Sequence, residues 1–373
     1  MSDKQCKGCG EKLQSEDKNL KGYVPFEKLL LQDNLICQNC FRLKNYGKIP
    51  EETMSKKEYK DVAIASIKEA DIVLGIFDAV DIESSMVTEI LDLLDEKESI
   101  VVLNKIDLLE KNYTMPEISS WFRKKIIENN IFPQSFCFVS SKTNEGINGI
   151  LHKIKDICGK KQVKVCVLGA SNVGKSSLLN RLIGSNKLTT SKYSGTTKRS
   201  IKTTVKYKDI KITFIDTPGI VPEGRMNEIL PKDKAVLLLN SKSVQKNKVR
   251  LNEGQYLTFS NLIYIKVENK CELDCYASKN IQFHVTNKQK VDELMTNGFF
   301  TLLSKEETDE YYNHKFVIDK ISLTRDDALD ILGLGYIEAN SSVTLSIKHP
   351  EEVKVVVREK IKYANKRQDE MLW

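Results

Sequence analysis

Two short segments each mark the end of an apolar run in this chain, and their order fixes the topology. Asn104-Lys105-Ile106-Asp107 follows the apolar run 100–103. Only later does Gly169-Ala-Ser-Asn-Val-Gly174-Lys175-Ser176 follow the apolar run 163–168. The second segment has the G-x-x-x-x-G-K-S spacing of a P-loop, set between a strand and the helical pattern 175–183. The first has the Asn, Lys and Asp spacing of a loop that reads guanine. Where both loops serve one nucleotide, the phosphate loop ordinarily comes first. A chain with the reverse order must close the same sheet from different ends, as a circular permutation does.

Each segment carries its own chemistry. Gly169 and Gly174 let the backbone curl, so that the N–H groups of a loop including Asn172 and Val173 face a phosphate at the positive end of the following helix, where Ser177 lies. Lys175 is placed to neutralise β- and γ-phosphate oxygens, and the Ser176 hydroxyl to ligate Mg²⁺. Asp216-Thr217-Pro218-Gly219 ends the strand-like run 211–215. Asp216 is expected to hold Mg²⁺ through water, and the Gly219 N–H to sense the γ-phosphate. Ser194-Gly195-Thr196-Thr197 lies between these motifs, where a switch loop belongs, with Thr197 as the expected Mg²⁺ ligand and Thr196 as the alternative.

On the base side, the Asp107 carboxylate can accept from both the N1–H and the exocyclic amino group of guanine, which adenine does not offer. Lys105 is expected to lie along the base plane and Asn104 to tie its loop to the P-loop. Ser140-Ser141-Lys142, after the run 135–139, would meet the guanine O6 through backbone N–H groups. The ligands expected are therefore GTP and GDP, with Mg²⁺.

Nine cysteines divide into two sets. Cys6-x-x-Cys9 and Cys37-x-x-Cys40 form two knuckles able to give four thiolates to one tetrahedral Zn²⁺, a closed and hence structural site. Residues 1–48 are too short for a sufficient core, so bound metal would supply much of their folding energy. Cys137, Cys158, Cys166, Cys271 and Cys275 are expected to be structural thiols. Residues 41–46 mix basic and aromatic side chains, as RNA-binding surfaces do and as a small packing cluster also does.

Charge is unevenly spread. Residues 61–152 hold 8 Lys/Arg against 16 Asp/Glu, whereas residues 153–211 hold 15 Lys/Arg against 2 Asp/Glu. A domain built from both stretches would have an acidic and a basic side, and the basic side would attract polyanions such as nucleic acid. The other reading is phosphate-facing charge plus solvated lysine. No apolar run reaches the roughly 20 residues of a membrane span, and the first residues have no signal-peptide pattern, so the expected location is the cytoplasm, away from membranes.

The coarse pattern gives three regions: a zinc module over 1–48, an α/β P-loop domain over 57–222 and a β-rich α+β domain over 223–373. In the middle region, strands are expected at 72–77, 100–103, 135–139, 163–168, 203–207 and 211–215, and helices at 84–95, 116–129, 146–157 and 175–183. Beyond it, strands are expected at 235–239, 262–267, 281–285, 316–318, 343–347 and 353–357, with a helix near 288–296. The basic stretch 353–367 reads as a strand and helix or as a solvated end.

The order of Asn104–Asp107, Ser140–Lys142, Gly169–Ser176, Gly195–Thr197 and Asp216–Gly219 resembles that of the circularly permuted GTPases. With the cysteine pairs and Leu251-Asn-Glu-Gly-Gln-Tyr256, the chain resembles the YqeH family of bacterial ribosome-assembly GTPases. The resemblance implies GTP hydrolysis, with rRNA or a pre-small ribosomal subunit as partner; the sequence does not give the oligomeric state, and a monomer is assumed. An alternative is a switch whose C-terminal domain binds a protein without RNA. Two positions bear on rate. Ile220 stands where Ras-like enzymes carry the glutamine that orients water, so unaided hydrolysis is expected to be slow. Asn172 matches the potassium-binding asparagine of cation-activated GTPases, though a loop-structuring hydrogen bond explains it equally. The catalytic set expected is Lys175, Asn172 and Thr197. Permutation also sends the chain straight from Asp216–Gly219 into the C-terminal region, which predicts that nucleotide state repositions that region.

Overall fold

A computed structural model describes residues 56–184, 200–239 and 243–362, the backbone of 192–194, and before these Lys4, 12–16, 22–26, Leu29, Leu35 and Cys37. The chain divides into two compact units, Met1–Ser55 and Lys56–Trp373. In the first, Gln14 and Tyr23 form an isolated parallel bridge. Leu13, Val24, Leu35 and Cys37 form a small core with Leu29 packed against it. Cys6, Cys9 and Cys40 lie outside the described residues, as do residues 41–46.

The second unit begins with the helix Lys56–Glu69 and then the strand β1 (Ile72–Asp78). Next come β2 (Ser99–Asn104), β3 (Ser135–Phe138), β4 (Gln162–Gly169), β5 (Lys192–Ser194), β6 (Ile201–Tyr207) and β7 (Ile210–Asp216). They form one seven-stranded sheet of order β3-β2-β1-β4-β7-β6-β5. The pairs β3–β2, β2–β1, β1–β4 and β4–β7 are parallel, and β7–β6 and β6–β5 antiparallel. Every residue of β1 and β2 is buried, as the uninterrupted Ile/Val/Leu runs require of strands covered on both faces. Gly75 allows one cover to come close: a Cβ there would lie 2.7 Å from Leu94 Cδ2.

Local signals explain the helices. Met115–Glu128 starts at a Thr114/Glu117 capping box with Pro116 in its first turn. Ile147–Cys158 lies between left-handed Gly146 and Gly159. The single helix expected over 84–95 is instead two, Ile82–Ser85 and Thr88–Asp95.

Beyond β7 the chain builds two antiparallel five-stranded sheets. One has the order β12-β9-β10-β16-β13, from β9 (Tyr256–Phe259), β10 (Ile263–Val267), β12 (Phe283–Thr286), β13 (Phe316–Leu323) and β16 (Val343–Pro350). The other has the order β17-β14-β15-β11-β8, from β8 (Val244–Leu251), β11 (Cys271–Ser278), β14 (Asp327–Ile331), β15 (Gly335–Ala339) and β17 (Val355–Glu359). Leu257, Ile265 and Leu345 of one sheet share a core with Leu273, Leu329 and Ile337 of the other. Met226, Leu230 and Leu238 belong to the same core. The strand expected at 235–239 is the C-terminal part of a helix, Lys232–Leu238. Pro231 stands at its N-cap, Asp233 lies in the first turn, and the buried residues Ala235 and Leu238 have helical spacing. The helix expected near 288–296 is Lys288–Thr296, capped by the Asn287 side chain. Among the described residues, no helix is long and apolar enough to cross a membrane.

Candidate functional site

Strand register sets the motif residues in one row. Asp78 pairs with Asn104 across β1 and β2, Ile76 with Gly169 across β1 and β4, and Val167 with Asp216 across β4 and β7. β1 is flanked on one side by β2 and on the other by β4, so strand order reverses between β1 and β4. In open parallel sheets ligands bind at the carboxyl ends of strands beside such a reversal.

The P-loop, residues 169–176, leaves β4 at that point. Gly169 lacks room for a side chain, since a Cβ would sit 2.7 Å from the Ile76 carbonyl oxygen. Gly174 has φ of +93°, and a Cβ there would come within 2.4 Å of Asn104 Nδ2. Asn172 is also left-handed, at φ 68°, and its Nδ2 is buried without a hydrogen-bond partner. Lys175 Nζ donates to the carbonyls of Gly169 at 2.7 Å and Ala170 at 3.3 Å. Ser176 and Ser177 are exposed on the first turn of the helix Lys175–Gly184.

Charge here is desolvated. Burial pushes the Lys175 ammonium down to about 8, against the pull of Asp216. Burial likewise pushes Asp216 up to about 6, with Lys175 opposing it. Asp216 Oδ1 is buried and has no hydrogen-bond partner. An orphaned carboxylate oxygen at the end of β7 and an exposed Ser176 hydroxyl after the P-loop are a donor set that suits a hydrated hard cation. Thr196 and Thr197 lie outside the described residues, and Ser194 is described only as the end of β5.

The segment after β7 closes onto the P-loop. Thr217 Oγ1 donates to the Val167 carbonyl at 2.6 Å. Ala170 and Ile220 form a parallel bridge, and the Ser171 N–H donates to the Ile220 carbonyl at 2.7 Å. A Cβ on Gly219 would lie 2.8 Å from Lys175 Nζ, so this backbone crosses directly over the phosphate loop. The Ile220 side chain is buried at 3 % exposure. The position after Gly219 therefore offers no polar side chain to a water molecule.

The other loops converge from β2 and β3. Asn104, fully buried, donates from Nδ2 to the Val173 carbonyl at 2.9 Å, and its Oδ1 accepts from the Ser141 N–H at 3.2 Å. Lys105 takes a left-handed backbone, φ 65°, and its ammonium donates to the Asn172 carbonyl at 2.7 Å while pairing with Asp78. Asp107 Oδ1 accepts from Ser140 Oγ at 2.7 Å. That hydroxyl oxygen in turn accepts from the N–H groups of Lys142 at 3.2 Å and Thr143 at 3.0 Å. Lys142 Nζ stands 3.9 Å from Asp107 Oδ2. Among the described residues, all the predicted nucleotide-site residues thus lie at one end of one sheet.

Two participants escaped sequence reasoning. Asp78 anchors Lys105, and its place at the end of an apolar strand was a usable signal. Arg225 contacts Ser171 of the P-loop, and nothing in its sequence neighbourhood marks it.

Comparison with known proteins places this geometry. Residues 164–270 match the family model described as 50S ribosome-binding GTPase. Residues 270–361 match the model described as YqeH-like, C-terminal. The uncharacterized protein YqeH of Bacillus subtilis is 30% identical, over 95% of this chain and 98% of its own length. The chain belongs to the YqeH family. As a member it is a GTPase, of a family that binds guanine nucleotide with Mg²⁺. The NO-associated protein 1 of Arabidopsis thaliana is 29% identical over 48% of this chain, and this chain spans 34% of that protein. GTPase Der of Lachnospira eligens is 28% identical over 52% of this chain and 44% of its own length. The YqeH-family assignment thus covers both the candidate nucleotide site and the C-terminal sheets.

Proposed function

We propose that this YqeH-family GTPase acts in assembly of the small ribosomal subunit, binding rRNA or the pre-ribosomal particle in one nucleotide state. The observation that carries this reading is the near full-length match to YqeH of Bacillus subtilis. The 50S wording in the GTPase model's description supports a ribosomal target and names the other subunit, so the test must tell the two apart.

Surface charge supports a polyanionic partner. Part of the segregated charge is cancelled internally: Glu69 pairs with Lys164 and Lys202, and Asp71 with Lys160. The β6–β7 hairpin is different. Its Lys206, Lys208 and Lys211 are exposed, with Lys206 directly opposite Lys211. Like charges so placed repel, and a bound polyanion would relieve that repulsion.

In the proposed reaction, Asp107 takes the guanine N1–H and amino group, and the backbone of Ser140, Ser141 and Lys142 receives its O6. Asn104 and Lys105 hold these loops on the P-loop. Gly169, Asn172, Val173, Gly174 and Ser177 shape the phosphate cradle, and Lys175 leaves its two carbonyls for the β- and γ-phosphates. Ser176, Asp216 and Thr197 would hold Mg²⁺, which when bound neutralises phosphate oxygens as charge builds on them. The Gly219 N–H senses the γ-phosphate. Asn172 is the proposed ligand for K⁺, whose charge would stand in for an arginine finger. Cys6, Cys9, Cys37 and Cys40 would hold a structural Zn²⁺, which metal analysis of the purified chain checks.

The deciding experiment is co-sedimentation with 30S and 50S subunits in GDP and in a non-hydrolysable GTP analogue. Salt-sensitive, nucleotide-dependent co-sedimentation with 30S supports the proposal. Binding to 50S alone, or no co-sedimentation at any nucleotide state, overturns it.

A further inference from the structure

Arg225 lies beyond every recognised motif, yet it is among the most buried cations of the chain, at 4 % exposure. Its Nη1 donates to the Ser171 carbonyl at 3.4 Å and Ser171 Oγ at 3.3 Å. Its Nη2 donates to Asp81 Oδ2 at 2.7 Å. Asp81 follows β1, and its Oδ1 accepts from Ser84 Oγ at 2.5 Å. A guanidinium is rigid and planar, so anchoring one end on Asp81 fixes where the other end points. It points at the P-loop residue whose N–H is bound by Ile220 and whose backbone lies within 3.1 Å of a Cβ built on Gly219. Ser171 is thus held both by the backbone of Gly219 and Ile220 and by Arg225. The Arg225 Nε is buried without a hydrogen-bond partner, a cost tolerated where geometry serves another end.

The backbone that carries Arg225 is itself held by the C-terminal sheets. The Met226 N–H donates to the Leu332 carbonyl at 2.8 Å, and the Lys354 N–H to the Gly224 carbonyl at 2.9 Å. Gly333 packs against it so closely that a Cβ would meet Arg225 Cβ at 2.9 Å.

We propose that Arg225 is a positioning residue for GTP hydrolysis: clamped by Asp81, it holds Ser171 so that the P-loop presents the γ-phosphate correctly. It acts through Ser171 and needs no contact with the nucleotide. A misplacement of about 1 Å costs up to about a hundredfold in rate.

The test compares full-length wild type with Arg225→Ala, Arg225→Lys and Asp81→Asn. Single-turnover GTP hydrolysis, GTP affinity and hydrogen exchange of peptides covering 169–176 in the nucleotide-free chain are measured for each. Arg225→Ala should lower kcat at least about tenfold with GTP affinity changed less than about threefold, and should speed exchange in the P-loop. Asp81→Asn keeps the arginine but frees it, and should reproduce part of both effects. Added guanidinium should partly restore the rate of Arg225→Ala, and Arg225→Lys, which lacks the fork, should remain impaired. Unchanged kcat and P-loop exchange in both Arg225→Ala and Asp81→Asn would overturn the proposal. So would a kcat loss accompanied by an equal loss of GTP affinity with no change in P-loop exchange.

Discussion

Asn104 Nδ2 donates to the Val173 carbonyl at 2.9 Å, joining residues 69 positions apart. This bond sews the Asn104–Asp107 loop to the P-loop although the chain visits them in the reverse of the usual order. Permutation moves the chain ends and leaves such contacts intact, because strand register and not chain order decides which loops meet.

Asp107 should decide which base is bound. Asp107→Asn replaces one acceptor by a donor, so the guanine amino group loses its partner while xanthine, with a carbonyl there, gains one. A lost hydrogen bond to a charged group is worth about 1.5–3 kcal/mol, or about tenfold to a hundredfold in affinity. Titration with fluorescent GDP and XDP should show the first weakened by that factor and the second strengthened. The Ser140 hydroxyl, 2.7 Å from Asp107 Oδ1, can still donate to the amide oxygen, so the loop should keep its form. Unaltered GDP affinity would remove Asp107 from the base site.

Asp216 should trade stability for ion binding. Its folded-state pKa, raised by burial to about 6, exceeds the ordinary 3.8. Such a group stabilises the nucleotide-free chain below about pH 4, and that contribution is lost as pH rises through about 6. Asp216→Asn has no charge to bury. In urea titrations without nucleotide the variant should gain on wild type between pH 4 and 6 and hold a constant advantage above it. Adding GTP and Mg²⁺ at pH 7 should reverse the ranking. A variant less stable than wild type in the nucleotide-free state would refute this.

Much of the site was legible because its motifs need strand ends, and strand ends follow from apolar runs such as 72–77 and 163–168. Each named its residues without help from distant chain. The C-terminal region was less legible. β8, with Gln245, Lys246, Asn247, Lys248 and Arg250, carries little apolar signal and is a strand because it pairs along its length with β11. Residues 235–238 look strand-like in isolation, yet their helical packing on the sheets decides their state. Arg225 was invisible for the same reason: its partners, Asp81 and Ser171, are distant in sequence.

Asn172 should make hydrolysis depend on the monovalent ion. Its left-handed backbone and buried, unpartnered amide leave a polar side chain inside the phosphate loop, and Ile220 offers no alternative group. GTP turnover should be faster in KCl than in NaCl, by about tenfold or more if the ion supplies one transition-state contact. Asn172→Ala should erase the difference. Equal rates in the two salts would leave Asn172 as a loop-shaping residue only.

Nucleotide state should be transmitted through Met226 and Leu332. The segment following Gly219 is bonded to the 331–335 turn and to Lys354, and Met226 lies in the core of the C-terminal sheets. Any movement that Gly219 makes with the γ-phosphate must either drag these contacts or break them. Hydrogen exchange in GDP and in a GTP analogue should therefore differ in peptides covering 224–230, 331–335 and 352–356. Gly333→Ala tests the route. Gly333 has φ of +74°, and a Cβ there would lie 2.3 Å from Asn227 Oδ1; left-handed backbone alone costs a side-chain-bearing residue about 1–2 kcal/mol. The variant should push residues 225–227 away from the turn, confining the nucleotide-dependent exchange difference to 216–230 while GDP affinity changes little. Identical exchange profiles in the two nucleotide states of wild type would mean that the permuted chain order carries no signal to the C-terminal sheets.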